Sequence, residues 1–285
     1  MAFRFSTGLR NKLLGKTVNT VENGSFNADA SGWSAIDATL AVVSGGYAGN
    51  CLQVTNTTSA KGYAYQAQVV KKGHRYMVEL YHKNGTVAGR IKIGTSPNDG
   101  TFVNKSLDDS DWTRYLFLVE VPDTVNTIYI TLQVDSAVQN DTSLFDEVKC
   151  IWEASSLKEI FKNSKLIIYT GSQPSSPDEA PLGTKLVEIT TNASGEFDLE
   201  FDEASNGAID KKPTDNWSGW AVASGTAGWF RLITNGDSEV YSEEDCRIDG
   251  AVGTANAELI MADTEITNGS IQTISVFRIS IPETL

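Results

Sequence analysis

Hydrophobic residues recur at every second position through most of this chain, and that period restricts it to strands buried on one side. In 75–82, Tyr76, Val78, Leu80 and His82 share one face, with Met77, Glu79 and Tyr81 on the other. In 127–134, Ile128, Ile130, Leu132 and Val134 oppose Tyr129, Thr131 and Gln133. Ile91 and Ile93 oppose Arg90 and Lys92. The same pattern predicts strands at 36–43, 50–55, 62–69, 113–121 and 144–152. Gly45-Gly46, Lys72-Gly73, Asn84-Gly85 and Asn98-Asp99-Gly100 supply the turns. About nine strands over about 135 residues predict a sandwich or jelly roll.

The period breaks twice. Residues 7–14 pattern as a short helix with Leu9, Leu13 and Leu14 on one side. Residues 155–162 do so again, with Ser155 or Ser156 as N-cap and Leu157, Ile160 and Phe161 on one side. Strands then resume at 165–170, 185–190, 195–201, 217–224, 228–234, 257–263 and 271–281, with a hairpin expected at Ser224-Gly225-Thr226. Removing 18–152 brings Leu13-Leu14-Gly15 almost onto Ser156-Leu157-Lys158. Residues 18–152 therefore read as a domain inserted into a loop of another, composed of 1–17 plus 153–285. The expected fold class is all-β, with two β-sandwich domains and one or two short helices in the outer one.

Charge narrows the partners. The net charge of the 285 residues is -13. Residues 1–17 carry Arg4, Arg10, Lys12 and Lys16 and no acid, whereas 153–285 carry 9 basic and 22 acidic residues. An acidic body repels phosphate, which argues against nucleic acid. No apolar run approaches the roughly 18 residues of a membrane span, and the start lacks a signal-peptide core. Cys51, Cys150 and Cys246 are widely spaced and form no zinc motif, so free thiols and folding in a cytoplasm are expected.

No nucleophile elbow, phosphate loop, zincin or dinucleotide fingerprint occurs. Two histidines leave little scope for a Ser-His-Asp set, and His82 falls on a buried face. The acidic runs Asp108, Asp109, Asp111 and Glu243, Glu244, Asp245 read as solvated loops. The chain is read as no enzyme; a glycosidase carboxylate pair is the enzymatic alternative. The outward face of the first sandwich is more informative. By strand parity it carries Glu79, Tyr81, Arg90, Lys92, Tyr129 and Gln133. A ring that covers the C–H face of a pyranose, beside planar polar groups that bond hydroxyls, suits a glycan. An ordinary solvated sheet face has the same composition. Trp33 and Trp112 are further platforms or core residues.

Asn23-Gly24-Ser25-Phe26, Gly32-Trp33, 45–54 (GGYAGNCLQV), 71–83 (KKGHRYMVELYHK), Trp112-Thr113-Arg114 and 143–149 (SLFDEVK) come in an order that resembles the family 4/9-type carbohydrate-binding modules. The resemblance covers nearly all of 18–152 and implies a β-jelly roll. It also implies a structural calcium between the N-terminal strand and an acid of the final strand. Asp146 matches that acid, and Asn27 stands where the family often has glutamate. Ca²⁺ takes six to eight oxygen ligands, of which these are the two side chains the resemblance supplies. Residues 1–17 and about 155–285 resemble small structural proteins of tailed phages, on segments such as 166–190 (from LIIYTGSQP) and 257–282. Together these imply a bacteriophage virion protein assembled in the host bacterial cytoplasm, of capsid-decoration type, displaying a glycan-binding jelly roll. Its partners would be the major capsid protein or tail and neck proteins, further copies of itself, and a surface or mucus polysaccharide. A purely architectural protein and a receptor-binding fibre or spike component are the alternatives.

Overall fold

The computed structural model describes residues 3–154 and 156–280. The chain is nearly all β, arranged as sandwich-like sheets with two short helices. It divides into two compact units, Met1–Lys16 with Ala154–Leu285, and Thr17–Glu153.

The chain begins with β1 (Arg4–Phe5) and α1 (Thr7–Leu13). Ten strands follow: β2 (Ser34–Ile36), β3 (Ala38–Gly46), β4 (Gly49–Asn56), β5 (Tyr63–Val69), β6 (Arg75–Asn84), β7 (Gly89–Gly94), β8 (Val103–Leu107), β9 (Thr113–Glu120), β10 (Thr127–Val134) and β11 (Thr142–Glu153). They form two five-stranded antiparallel sheets, ordered β2-β5-β10-β7-β8 and β3-β4-β11-β6-β9. Between them lies one apolar core that contains Leu52, Val78, Leu80, Ile91, Ile93, Ile130, Leu132 and Phe145. These are the alternating residues of each strand, so the period of two in the sequence is the inside–outside alternation of a sandwich. Strand β8 has no such pattern: Asn104, Lys105 and Ser106 are all exposed at the sheet edge, and nothing in the sequence predicted it.

The chain returns through α2 (Leu157–Ile160), β12 (Ser164–Thr170), β13 (Lys185–Thr191), β14 (Ala208–Asp210), β15 (Trp217–Trp220), β16 (Gly225–Thr234), β17 (Arg247–Gly253), β18 (Leu259–Ile260), β19 (Glu265–Ile266), β20 (Ile271–Ile274) and β21 (Arg278–Ser280). The main sheet runs β1-β17-β16-β12-β13-β15-β20, with β18 against β17 and β19 against β16; β14 and β21 pair separately. Ser156 caps α2 through its hydroxyl, which accepts the Glu159 N–H at 3.2 Å; Ser155 and the end of the predicted strand 271–281 lie outside the described residues.

Several expectations for this unit fail. Residues 195–201 make only isolated bridges, Leu199 to Ser164 and Phe201 to Lys211. The segments 217–224 and 257–263 contain strands of only four and two residues. The hairpin at 224–226 is absent: β15 pairs with β13 and β20, while β16 pairs with β12, β17 and β19. Strand β17 escaped the period because it buries charge. Arg231 makes a two-pronged ion pair with Asp249, both bonds 2.8 Å and both side chains fully buried. Arg247 clasps buried Asp237 at 2.6 and 2.7 Å and also donates to carbonyls of Pro177, Asp178 and Val240.

The N-terminal segment is tied to this unit by β1, whose Arg4 and Phe5 pair with Asp249 and Ile248. Ser6 caps α1: its Oγ accepts from Leu9 N at 3.1 Å and from Arg247 N at 2.9 Å, and donates to the Asp245 carbonyl at 2.7 Å. Gly8 lies so close that a β-carbon would fall 2.4 Å from the Glu244 carbonyl oxygen. The helix thus docks through its first turn. Leu9 is buried but Leu14 is 87% exposed, so the predicted apolar side of three leucines is reduced to one.

Candidate functional site

The outer face of β2-β5-β10-β7-β8 is built in rows that cross the strands. One row is Ser34, Tyr65, Thr131, Lys92 and Asn104; the next is Ile36, Tyr63, Gln133, Arg90 and Ser106; a third holds Ala67, Tyr129 and Gly94. Each row alternates with a core row by the pleat, so the same period that buries Ile91 and Leu132 presents Lys92 and Gln133. Tyr63, Tyr65 and Tyr129 form a continuous aromatic strip, with successive ring centroids 6.1 and 6.2 Å apart and planes inclined at 49°. Beside it lies a hollow of about 570 Å³ lined by Tyr63, Arg90, Lys92, Asn98, Asn104 and Gln133, among others. A second hollow of about 490 Å³ adjoins Ser34, Tyr65, Ala67 and Val69. From Tyr63 to Val69 the strand advances about 20 Å at about 3.3 Å per residue, a length suited to an extended chain of sugars.

The polar groups of this cleft are fixed by one another. Asp135 accepts two bonds from Arg90 at 3.2 and 2.8 Å, one from Lys61 at 2.6 Å and one from Ser106 at 2.6 Å. Burial raises the Asp135 pKa, but the bonds from Arg90, Lys61 and Ser106 outweigh it and hold the carboxyl far below its ordinary value. The 95–101 loop folds onto the sheet. Asn98 takes a left-handed φ of 63°, donates its N–H to Thr131 Oγ1 at 3.0 Å, and accepts from Lys92 Nζ at 2.7 Å and Gln133 Nε2 at 3.1 Å. Desolvation, then the neighbouring charges of Arg90 and Lys61, lower the Lys92 pKa.

Of the six residues expected on one outward face, Arg90, Lys92, Tyr129 and Gln133 share this sheet face, and Arg90, Lys92 and Gln133 line the first hollow. Glu79 and Tyr81 do not: they lie on β6, on the outer face of the opposite sheet. Parity says which residues point outward but not which of two sheets a strand joins. Glu79 is 7% exposed and its carboxylate receives Arg114 at 2.7 Å and Lys149 at 3.5 Å. Tyr81 stacks on Tyr47 at 3.6 Å. Tyr63 and Tyr65, which complete the aromatic strip, were missed. Both stand in the predicted strand 62–69 at the same parity, and Tyr63-Ala64-Tyr65 was the available signal. Trp33 is a core residue packed on Phe26, and Trp112 donates to the Gly45 carbonyl at 3.0 Å.

Asn27 and Asp146, the two residues expected at a calcium site, both face the 46–50 turn. Asn27 Oδ1 accepts from Asn50 N at 3.2 Å. The two Asp146 oxygens accept from the N–H groups of Ala48 and Glu147 at 3.0 and 2.8 Å. Both side chains therefore help to hold the 46–50 turn by accepting from its N–H donors and neighbours. Among the described residues no cluster of three His, Cys, Asp or Glu side chains converges as a metal site.

His82 is packed on the buried face, as its parity predicts, but in an arrangement the sequence did not suggest. His82 Nε2 lies 3.0 Å from Ser143 Oγ and His82 Nδ1 lies 2.8 Å from Asp109, the hydrogen-bond order of a serine hydrolase triad. Ser143 and His82 are both fully buried, and a β-carbon on Gly89 would fall 2.5 Å from each of them, so backbone occupies the space an acyl group would need. Burial lowers the His82 pKa against the pull of Asp109, which keeps the ring neutral. Tyr115 also donates to Asp109 at 2.9 Å. The chain of bonds satisfies polar groups at the sandwich rim. The acidic runs are likewise partnered: besides Asp109, Glu244 binds Lys16 at 2.8 Å and Asp245 binds Arg247 at 3.2 Å.

Residues 18–142 match the family model of a carbohydrate binding domain (CBM_4_9). No curated protein matches the chain. Solved structures similar to it include one described as "CBM4 structure and function", at 18% identity and TM-score 0.34, which covers 47% of this chain and 99% of that one. Another is the CBM22-1 xylan-binding domain of Paenibacillus barcinonensis, at 17% identity and TM-score 0.38, covering 47% and 94%. The enzymatically active domain of tailspike protein 4 from bacteriophage CBA120 aligns at 18% identity and TM-score 0.38, covering 48% of this chain and only 22% of that one. Residues 18–142 are thus similar to a carbohydrate-binding domain, and the unit that contains them has the two facing five-stranded antiparallel sheets of a jelly roll.

Proposed function

We propose that the chain is a non-enzymatic glycan-binding protein of a bacteriophage virion, whose unit 17–153 grips a polysaccharide and whose other unit docks on the particle. The observation that carries the glycan reading is the Tyr63-Tyr65-Tyr129 strip on the same sheet face as the hollow lined by Arg90, Lys92 and Gln133. Apolar rings take the C–H faces of sugars, and fixed planar donors and acceptors take their hydroxyls. The absence of solvent access to Ser143 and His82 supports binding without turnover.

The virion address rests on the resemblance of 1–17 and 155–285 to tailed-phage structural proteins, with capsid decoration preferred to tail or neck. Exposed Trp220 and Ile271, paired across β15 and the edge strand β20, support contacts with further copies of the chain. Many copies per particle would make weak single-site binding effective. The test of the glycan reading is a glycan array probed with multimerised full-length protein and with the Tyr65→Ala/Tyr129→Ala variant. Wild-type binding to some polysaccharide and a loss of at least tenfold in the variant are expected. No binding by either protein leaves the architectural alternative. Locating the chain in a density map of the intact particle tests the address.

A further inference from the structure

Lys92 stands out among the charges of the cleft. Lys61 and Arg90 are both ion-paired to Asp135. Asp99 spends its carboxylate on Thr95 and Thr101. Asp37, on the rim, lies within reach of Thr58. The Lys92 ammonium is half-buried and hydrogen-bonded to an amide oxygen, that of Asn98; among the described residues no carboxylate lies within ion-pair distance of it. Its position is not adaptable. Asn98 is itself pinned by Thr131 and Gln133, so the head group is held in place at the wall of the hollow. An ammonium has three donors, and one is used.

We propose, building on the glycan-binding reading, that the cleft selects a glycan bearing an anionic group, of which a uronate carboxylate is the favoured form and a sulfate the other, and that Lys92 receives that group. A neutral sugar laid across this face offers the ammonium only uncharged hydroxyl acceptors, which replace its lost water less fully than an anion does. An anion in the same place gains charge-assisted hydrogen bonds to a donor already oriented for it. One residue thereby attracts the acidic chain and rejects the neutral one. The choice runs against the overall charge of -13, so it is a local property of the cleft and not of the surface at large.

Affinity electrophoresis of the full-length protein through gels containing polygalacturonate, a sulfated galactan or neutral xylan tests this. Retardation by an acidic polymer is expected at a concentration at least tenfold below that needed for xylan. Comparing the two acidic gels tells carboxylate from sulfate. Lys92→Met should remove at least tenfold of that acidic affinity, Lys92→Arg should retain most of it, and Lys83→Met, on the opposite sheet, should leave it unchanged. Thermal unfolding of Lys92→Met checks that the fold survives; if it does not, the Lys92→Arg and Lys83→Met pair and the wild-type preference still decide. Equal or stronger retardation by xylan, or acidic binding that Lys92→Met does not change, overturns the acidic preference while leaving glycan binding intact. No retardation by any polymer overturns both.

Discussion

Asp135 shows how single side chains prepare the cleft. It binds no sugar in this account; it holds Arg90, Lys61 and Ser106 in place. Because its folded pKa is depressed, the unfolded chain takes up the proton first. The contribution of this network is therefore complete above the ordinary aspartate value of about 4 and is lost as pH falls below it. Asp135→Asn should cost about 1–3 kcal/mol at pH 7, since it leaves charged donors without their acceptor. Urea unfolding followed from pH 7 down to pH 3 should show a shallower acid limb for the variant than for the wild type. Equal slopes would mean that this carboxylate is not clamped in solution. Residues of this kind were hard to read from sequence. Arg90, Lys92 and Gln133 could be placed by parity, whereas Asp135 lies just past the end of β10 and follows no period. Ser143, His82 and Asp109 meet across 61 and 27 positions of sequence, and no local pattern announces such a meeting.

At the scale of elements, strands with apolar alternation or apolar runs were legible, and a strand that buries charge was not. Strands β6, β7 and β10 alternate cleanly, and the structure places them within a residue or two of their predicted bounds. Strand β17 buries Arg247, Asp249 and Ile248 together, so its pattern vanishes even though it is central to its sheet. The 195–201 segment has the alternation of a strand, yet Leu199 and Phe201 reach the core from single bridges. Helix α1 is the sharpest case. Its leucines advertise an apolar side, but only Leu9 is buried, and beside it Ser6 and Gly8 are two small residues that admit close backbone approach. Gly8→Ala should cost about 1–3 kcal/mol by overpacking against the Glu244 carbonyl, and should speed tryptic cleavage at Arg10 and Lys12. Ser6→Ala should cost about 1–2 kcal/mol through the lost cap. Unchanged proteolysis in the glycine variant would mean that the helix is not seated on 244–245.

For the whole molecule, the two units use their charges differently. Residues 3–16 and 154–280 bury ion pairs that fix backbone, with Arg231 and Arg247 each holding a buried aspartate. Removing one partner of such a pair typically costs about 3–5 kcal/mol, so they favour one packing of the sheet. In the jelly roll, by contrast, the lysine and arginine ion pairs keep the cation partly exposed, as with Arg90–Asp135 and Arg114–Glu79. That division fits one unit built to hold position and one built to bind. The most direct measurement is hydrogen–deuterium exchange of the full-length protein with and without a retarding polysaccharide. The account predicts protection confined to β5, β7, β10 and the 95–101 loop. Protection on β6 and β9, across the opposite sheet around Glu79 and Arg114, or within 164–280, would contradict it.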